Sequence, residues 1–325
     1  MAASSSFVSS ARALEALKTN PKLHENSFQS GKYMILVDTQ FICVENNGVL
    51  AWRNYEEIKS LTKDELPQKL LLDISTVQGK QVFLFALDFD NVGDDTVKKL
   101  ESNVNGKFIG ARESLLRLKD TESLYVAKAK GLSSFNKTFK FCPNCGSSLV
   151  SSQIGILKEC NKCSRTHYPP LCPVAIVLID NPSHDEVLLV RQERHPAGMY
   201  SCVAGFIEPG ETLDKAVERE VAEEVGLRIK DIQFVKSQPW AMPNSQLMLA
   251  CVGTAESSDF VTDEKEILEA KWIKAEDLKS AVDRTKAMTG IPKTSGTDQE
   301  FWVPPSFTAS YQLMVEWLAR FHKLR

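Results

Sequence analysis

The sequence predicts an α/β protein built from more than one folded unit. Strand-like segments flank a helical segment near residue 220, two Cys-x-x-Cys pairs stand in the middle of the chain, and 325 residues exceed what one hydrophobic core usually serves. With 43% hydrophobic and 25% charged residues, the composition is that of a globular protein. We therefore expect a mixed α/β domain at the C-terminal end, a small metal-binding ribbon before it, and a smaller α+β domain before the ribbon.

The N-terminal part carries no motif with chemistry in it. Residues 1–30 are polar and Ser-rich, and we expect a flexible tail there, with at most a short helix around Ala11–Leu17. Residues 31–137 alternate strand-like segments with turn signals, which predicts the α+β domain. Its predicted elements are strands Tyr33–Val37, Phe41–Val44, Val49–Trp52, Lys69–Ile74 and Val82–Leu87, and a helix near Arg112–Ala129.

Residues 138–171 form the predicted ribbon, because they contain both cysteine pairs. The predicted ligands are Cys142, Cys145, Cys160 and Cys163. This spacing is typical of one tetrahedral Zn²⁺ held by four thiolates, a closed site that stabilises a fold and leaves no open position for a reaction. A nucleic-acid-binding ribbon and a redox dithiol are the alternatives. The other four cysteines lie in apolar surroundings and are predicted to be buried free thiols: Cys43, Cys172, Cys202 and Cys251.

Residues 172–325 form the predicted C-terminal domain. Its predicted strands are Val174–Ile179, Glu186–Arg191, Tyr200–Ala204, Phe234–Lys236, Leu247–Val252 and Glu269–Ile273, and its helices are Thr212–Val225 and Ser306–Phe321. The first of these helices has a plausible N-cap in Thr212 and a terminating glycine in Gly226. The order of the elements predicts a mixed sheet with helices packed on it.

Three carboxylates on the first of these helices are the candidate catalytic residues. Glu220, Glu223 and Glu224 stand at positions i, i+3 and i+4, so they share one face. Adjacent carboxylates repel one another, and an oxygen-liganded cation such as Mg²⁺ relieves the repulsion while binding phosphate. A solvated acidic helix face is the alternative.

The segment around this helix matches a known motif. Its fixed positions are Gly205, Glu211, Arg219, Glu220, Val221, Glu223, Glu224, Gly226 and Leu227, which fill every position of the Nudix box, G-x5-E-x7-R-E-U-x-E-E-x-G-U with U aliphatic. The chain therefore resembles the Nudix hydrolases. The resemblance implies an α/β/α sandwich with a mixed sheet, and cleavage of a nucleoside diphosphate linked to another group with the help of Mg²⁺ or Mn²⁺.

A second motif narrows the resemblance. Residues 237–245 read SQPWAMPNS, which resembles the SQPWxFPxS signature of the NADH pyrophosphatase branch of the Nudix hydrolases. A zinc ribbon directly before the Nudix domain and an extra N-terminal domain are also marks of that branch. The resemblance implies hydrolysis of NADH or NAD, with NADPH a further candidate, to nicotinamide mononucleotide and AMP.

Two departures from the signature leave the substrate open. Met242 stands where the branch usually has Phe, and Gln246 is inserted before Leu247. Removal of NAD caps from RNA 5′ ends by the same chemistry is one alternative. ADP-ribose or dinucleoside polyphosphates are other candidate substrates, and a dinucleotide sensor without hydrolytic activity is a third class. Intact box glutamates argue against the sensor.

The resemblance also implies further site residues. For the catalytic cation it implies Glu220, Glu224, Glu266 and the carbonyl of Ala204 as ligands. For the substrate it implies Tyr168, Ala204, Phe206, Gln238, Trp240, Ser245, Ala309 and, by a looser alignment, Arg112. Phe206 or Tyr168 would stack on a base, and Glu223 or Glu220 would act as general base. Arg219 is expected to brace the loop by pairing with Glu211.

Composition limits the partners. The net charge of −3 gives no basic footprint over the whole protein, although a local patch that grips a capped RNA stays open. The longest aliphatic run, Val174–Ile179, is too short to cross a bilayer, so no membrane partner is expected. An intracellular protein is the default expectation, with the cytoplasm first and mitochondria or peroxisomes as alternatives. Members of the branch are commonly homodimers, which the resemblance implies here.

Overall fold

The structure, a computed structural model, divides into two compact units. It describes residues 2–39, 41–45, 48–61, 66–77, 80–90, 93–111, 113–114, 118, 120–242, 245–287 and 301–324. The first unit comprises Met1–Pro170 together with Ala241–Ser245, and the second comprises Leu171–Trp240 together with Gln246–Arg325. No helix in these ranges is both long enough and apolar enough to span a membrane.

The first unit contains a mixed sheet and the ribbon. Its helices are α1 (Ala2–Thr19), α2 (His24–Ser30), α3 (Tyr55–Leu61), α4 (Asp94–Val104) and α5 (Asp120–Thr138). Its strands are β1 (Lys32–Val37), β2 (Phe41–Glu45), β3 (Arg53–Asn54), β4 (Lys69–Val77), β5 (Lys80–Phe89), β6 (Gly106–Gly110), β7 (Leu149–Ser151), β8 (Lys158–Cys160) and β9 (Thr166–His167). The larger sheet has the order β4-β5-β1-β2-β6, with β3 beside β1, and only the pair β1 and β5 runs parallel among its described pairs. Strands β7, β8 and β9 form the antiparallel ribbon sheet.

The predicted tail is wrong for the described part of residues 1–30. These residues form α1 and α2 with a short 3-10 turn between them. Leu17 is fully buried and Phe28 is 8% exposed in the core of the first unit. The buried ring of His24 contacts the carbonyl of Leu17 at 2.9 Å and Oε1 of Gln153 at 2.8 Å, which ties this segment to the ribbon. The other limits of the predicted domains stay predictions.

The second unit is the predicted mixed α/β domain. Its strands are β10 (Cys172–Asp180), β11 (Glu186–Arg191), β12 (Val203–Phe206), β13 (Ile229–Trp240), β14 (Gln246–Ala255) and β15 (Glu269–Lys274). Its helices are α6 (Leu213–Val225), α7 (Ala275–Ala287) and α8 (Ala309–Leu324). The sheet has the order β13-β14-β10-β11-β15, with β12 beside β10, and β10 pairs in parallel with β14.

Apolar clusters on both faces of this sheet hold the helices in place. Residues of β10 alternate between the two clusters, as strand geometry requires. Val177 and Ile179 pack with Val217 and Val221 of α6. On the other face, Leu178 packs in the cluster that contains residues of α7 and α8. The sheet therefore has helices on both faces, and the predicted mixed α/β class is confirmed.

Candidate active site

Helix α6 begins and ends where its sequence predicts. Oγ1 of Thr212 accepts a hydrogen bond from the backbone N–H of Lys215 at 3.4 Å, which caps the first turn. Gly226 adopts the left-handed conformation, with φ of 64°, and its N–H donates to the carbonyl of Ala222. The three candidate carboxylates do not share one environment, because Glu220 and Glu224 are buried whereas Glu223 is exposed.

Gly205 makes room for the carboxylate of Glu220. In strand β12, Gly205 pairs with Ala175 of β10. Its backbone lies against the side chain of Glu220 on α6. A Cβ atom added at Gly205 would lie 1.9 Å from Cδ and 2.0 Å from both carboxylate oxygens of Glu220. Such distances are impossible for non-bonded atoms. The first glycine of the box is therefore required by a close approach and not by its backbone conformation.

Arg219 links the loop before α6 to the helix itself. Its Nε and Nη2 donate to the two carboxylate oxygens of Glu211 at 2.7 and 2.9 Å. Its Nη1 donates to Glu220 at 2.8 Å and to Glu223 at 2.9 Å, and Nη2 also reaches the carbonyl of Phe206 at 2.8 Å. The expected pairing with Glu211 is confirmed. These bonds with Arg219 are the main reason that the pKa of Glu211 falls from 4.5 to about 2.

Glu224 is the most perturbed carboxyl of the site. Its side chain is 2% exposed, and its Oε2 has no hydrogen-bond partner. Burial is the main reason that its pKa rises from 4.5 to about 8, and the nearby charges of Glu220 and Glu266 add to the rise. Burial likewise raises the pKa of Glu220. A bound cation would counter both effects in favour of the ionised carboxylates, because it supplies the missing partner and offsets the repulsion.

The segment after residue 260 brings Glu266 towards this site. The N–H of Asp263 donates to the carbonyl of Glu224 at 3.0 Å, and the N–H of Glu266 donates to the carbonyl of Asp263 at 3.1 Å. Glu266 is exposed, and its charge reaches both Glu220 and Glu224. The carboxylates of these three residues do not all lie within 4.8 Å of one another. In the described ranges, only the four ribbon cysteines meet that limit.

Some of the residues predicted for substrate binding have side chains that contact other residues of the second unit, whereas others have exposed side chains. The Gln238 amide is engaged, because its Oε1 accepts from the N–H of Ala309 at 2.7 Å and its Nε2 donates to the carbonyl of Phe307. Trp240 is also engaged, since its ring stacks on that of Phe307 with 6.1 Å between centroids. Phe206 is 52% exposed and presents an open aromatic face. The structure thus gives Gln238 a role in fixing the start of α8.

The inserted Gln246 causes no break in the sheet. It is the first residue of β14 and pairs with Trp240, so the signature loop is confined to residues 241–245. Met242 and Ser245 belong to the first unit, and a Cβ added at Gly131 of α5 would lie 2.7 Å from Oγ of Ser245.

The remaining predicted residues lie in the first unit or outside the described residues. Tyr168, which follows β9, is 67% exposed. Arg112 is outside the described residues, as are Pro243 and Asn244 of the signature.

The four predicted zinc ligands do come together. Their sulfur atoms all lie within 4.8 Å of one another, with 3.7 Å between Sγ of Cys142 and Sγ of Cys163 and 3.4 Å between those of Cys145 and Cys160. A tetrahedral site with Zn–S bonds of about 2.3 Å places sulfur atoms about 3.8 Å apart, so the donor set fits this metal. Cys202 and Cys251 are buried free thiols as predicted, whereas Cys172 is partly exposed.

Two residues near these sites were missed by sequence reasoning. The charge of Arg194 lowers the pKa of Glu224, against the effect of burial, and Nε2 of His167 lies 3.4 Å from Sγ of Cys142. Neither belongs to a recognised motif. Their only sequence signals are a cation shortly after a strand that leads to the site, and a histidine four residues after the last ribbon cysteine.

Comparison with known proteins agrees with this geometry. A family model described as NUDIX domain matches residues 170–290. This part of the chain belongs to the NUDIX family. The match includes the whole of β12 and α6, and therefore every position of the box. The predicted resemblance to the Nudix hydrolases is confirmed.

Three relatives illustrate what the chain is similar to. The NAD-capped RNA hydrolase NUDT12 of Homo sapiens is 36% identical over 243 residues, which cover 72% of this chain and 50% of that protein. The mitochondrial NAD(P)H pyrophosphatase NUDT13 of Homo sapiens is 32% identical over 68% of this chain and 62% of its own length. The NAD-capped RNA hydrolase ndx-9 of Caenorhabditis elegans is 26% identical over 96% of this chain and 90% of its own length. The chain thus spans about half the length of the NUDT12 relatives.

Proposed function

We propose that the NUDIX domain hydrolyses the diphosphate bond of NADH or NAD to nicotinamide mononucleotide and AMP, with NADPH a further candidate. The observation that carries the proposal is the pair of buried carboxylates, Glu220 and Glu224, of which Glu224 has an oxygen without a partner. A buried charge needs a counter-charge, and a diphosphate needs the same cation to be held. The relatives support the nicotinamide dinucleotide, because the names of all three contain it.

The proposed cation ligands are Glu220, Glu224, Glu266 and the carbonyl of Ala204. Mg²⁺ or Mn²⁺, when bound there, would offset the negative charge of the diphosphate during bond cleavage. Glu223 or Glu220 would take the proton from the attacking water. Arg219 donates to both of these carboxylates and so fixes their position, whichever is the base.

The proposed base-binding surface is the open face of Phe206. A flat ring binds a nucleobase by stacking, and Phe206 is the exposed aromatic residue of β12, two positions after the predicted ligand Ala204. Trp240 and Gln238 would act indirectly, by fixing Phe307 and Ala309 at the start of α8. Tyr168, Ser245 and Arg112 remain proposed substrate residues on the resemblance alone.

Three finer points belong to the same proposal. The ribbon would hold a structural Zn²⁺, which the sulfur distances support.

An intracellular location is proposed because thiolate ligands persist in reducing compartments. A homodimer is proposed from the resemblance, and analytical ultracentrifugation of the purified chain would test it.

Substitution of one buried glutamate tests the function. We expect Glu224→Gln to lower the rate of AMP formation from NADH and Mg²⁺ by at least about 100-fold, because loss of a metal ligand should exceed the 10- to 100-fold effects of outer partners. Glu218→Gln is the matched control, since Glu218 lies on the same helix but pairs with Lys215 at the surface. Near-normal hydrolysis by folded Glu224→Gln protein would refute the assignment.

A second candidate substrate is RNA with an NAD cap. The observation that favours it is the name of the NUDT12 and ndx-9 relatives. Cleavage occurs at the same diphosphate, so both substrates should depend equally on Glu224. Contacts with an RNA strand add a steep salt dependence that a free dinucleotide lacks. Rates measured on both substrates between about 50 and 200 mM salt separate the two, and equal salt slopes would argue against strand binding.

A further inference from the structure

The ribbon cysteines differ in which groups donate hydrogen bonds to their sulfur atoms. Sγ of Cys160 accepts from the backbone N–H groups of Lys162 and Cys163, each at 3.4 Å. Backbone donors of this kind stabilise a thiolate by offsetting part of its charge.

Cys142 has a different partner. Its side chain is 2% exposed, so water has little access to its sulfur. Among the described contacts of this sulfur, the group with an N–H to offer is the imidazole of His167, whose Nε2 lies 3.4 Å away. Strand β9 places the ring there, because Thr166 and His167 pair with Glu159 and Lys158 of β8.

The histidine lies outside the metal-binding group itself. The four sulfur atoms lie within 4.8 Å of one another, and His167 is not a member of that set although it touches one sulfur. Four thiolates complete a tetrahedral zinc site and leave it with a net charge of −2. A donor beside that site is therefore favoured over a fifth ligand.

We propose that His167 is a positioning residue of the zinc site, which donates its Nε2–H to the thiolate of Cys142 and thereby slows the loss of the metal. The donated bond offsets charge on the buried sulfur of Cys142, whose described contacts include no backbone N–H donor. It also fixes β9 to the metal centre. Outer partners of metal ligands typically change metal affinity by about 10- to 100-fold.

Zinc release from the full-length protein tests this role. We expect His167→Phe to transfer zinc to a chromogenic chelator at least about 10-fold faster than the unmodified protein. His167→Gln should release zinc at close to the original rate, because its amide also offers an N–H donor. Thr166→Val is the control, since Thr166 lies on the same strand with an exposed side chain. Equal release from His167→Phe and the unmodified protein, or equally fast release from the Phe and Gln variants, would overturn the proposal.

The Co²⁺-substituted protein distinguishes a donor from a ligand. We expect His167→Phe to keep the intense visible bands of tetrahedral Co²⁺ while its sulfur-to-metal band shifts, because the sulfur of Cys142 carries more charge without the bond. Loss of the tetrahedral bands while Co²⁺ stays bound would show that His167 is a ligand and would overturn the positioning role.

Discussion

At the scale of one residue, Gly205 allows the carboxylate of Glu220, a proposed cation ligand, to lie against β12. Its missing side chain leaves the space that the carboxylate of Glu220 occupies. We expect Gly205→Ala to displace that carboxylate, because the new Cβ would lie 1.9 Å from Cδ. The carboxylate is the end of a flexible side chain, so the fold should lose no more than the roughly 1–3 kcal/mol of an overpacked core. Activity with NADH and Mg²⁺ should fall much further than thermal stability, as measured on the same sample.

Gly110 offers a matched control for this change. It is also a strand glycine, and a Cβ added there meets no atom within 4 Å. Gly110→Ala should therefore leave activity and stability close to their original values. Full activity of Gly205→Ala would contradict the requirement for a close approach between β12 and Glu220.

At the scale of single elements, local sequence signals were sufficient to predict α6, but they did not predict the contact between Gln238 and Ala309. The cap at Thr212, the terminator Gly226 and the pair of Arg219 with Glu211 all depend on residues within one segment, and the sequence predicts each of them. The engagement of Gln238 by Ala309 joins residues 71 positions apart. No periodicity or motif in the sequence specifies such a pair.

The first helices illustrate the same limit. Polar and Ser-rich composition predicts a tail, yet α1 is held through a small number of buried side chains such as Leu17. The composition of a segment is dominated by the residues on the exposed face of its helix, so a few buried apolar residues do not change it enough to be recognised. Tertiary burial, which only the folded chain provides, decides the structure here.

The brace between Glu211 and Arg219 predicts a pH dependence for the loop before α6. The folded-state pKa of Glu211, about 2, lies below the value of 4.5 for the free side chain. Its ionised form therefore stabilises the fold above pH 4.5, and this stabilisation is lost as the pH falls towards 2. We expect Glu211→Gln to unfold at lower denaturant than the unmodified protein at pH 7, with a difference that shrinks as the pH falls from 4.5 towards 2. A difference that is constant with pH would assign the effect to packing, and Glu218→Gln serves as the surface control.

At the scale of the whole molecule, a buried lysine is one of several links between the ribbon and the rest of the first unit. Lys158 is 3% exposed, and its Nζ donates to the carbonyls of Asn136 and Phe139 at 2.7 and 2.6 Å. A cation at this position satisfies carbonyls at the C-terminal end of α5. Lys158 lies on β8, the strand that also carries the predicted zinc ligand Cys160. The cluster of four cysteines and α5 are thus joined through the three residues of β8.

Removal of zinc should therefore loosen the end of α5 and leave α6 unchanged. Loss of one hydrogen bond to a charged group corresponds to about 1.5 kcal/mol or more, which is about a tenfold change in local opening. We expect amide hydrogen exchange of residues 132–138 to become at least about tenfold faster after treatment with a strong zinc chelator. In Lys158→Met these amides should already exchange fast and should respond little to the chelator. Unchanged protection of α5 in the zinc-free protein, while the ribbon itself exchanges freely, would show that the lysine does not transmit the effect of the metal.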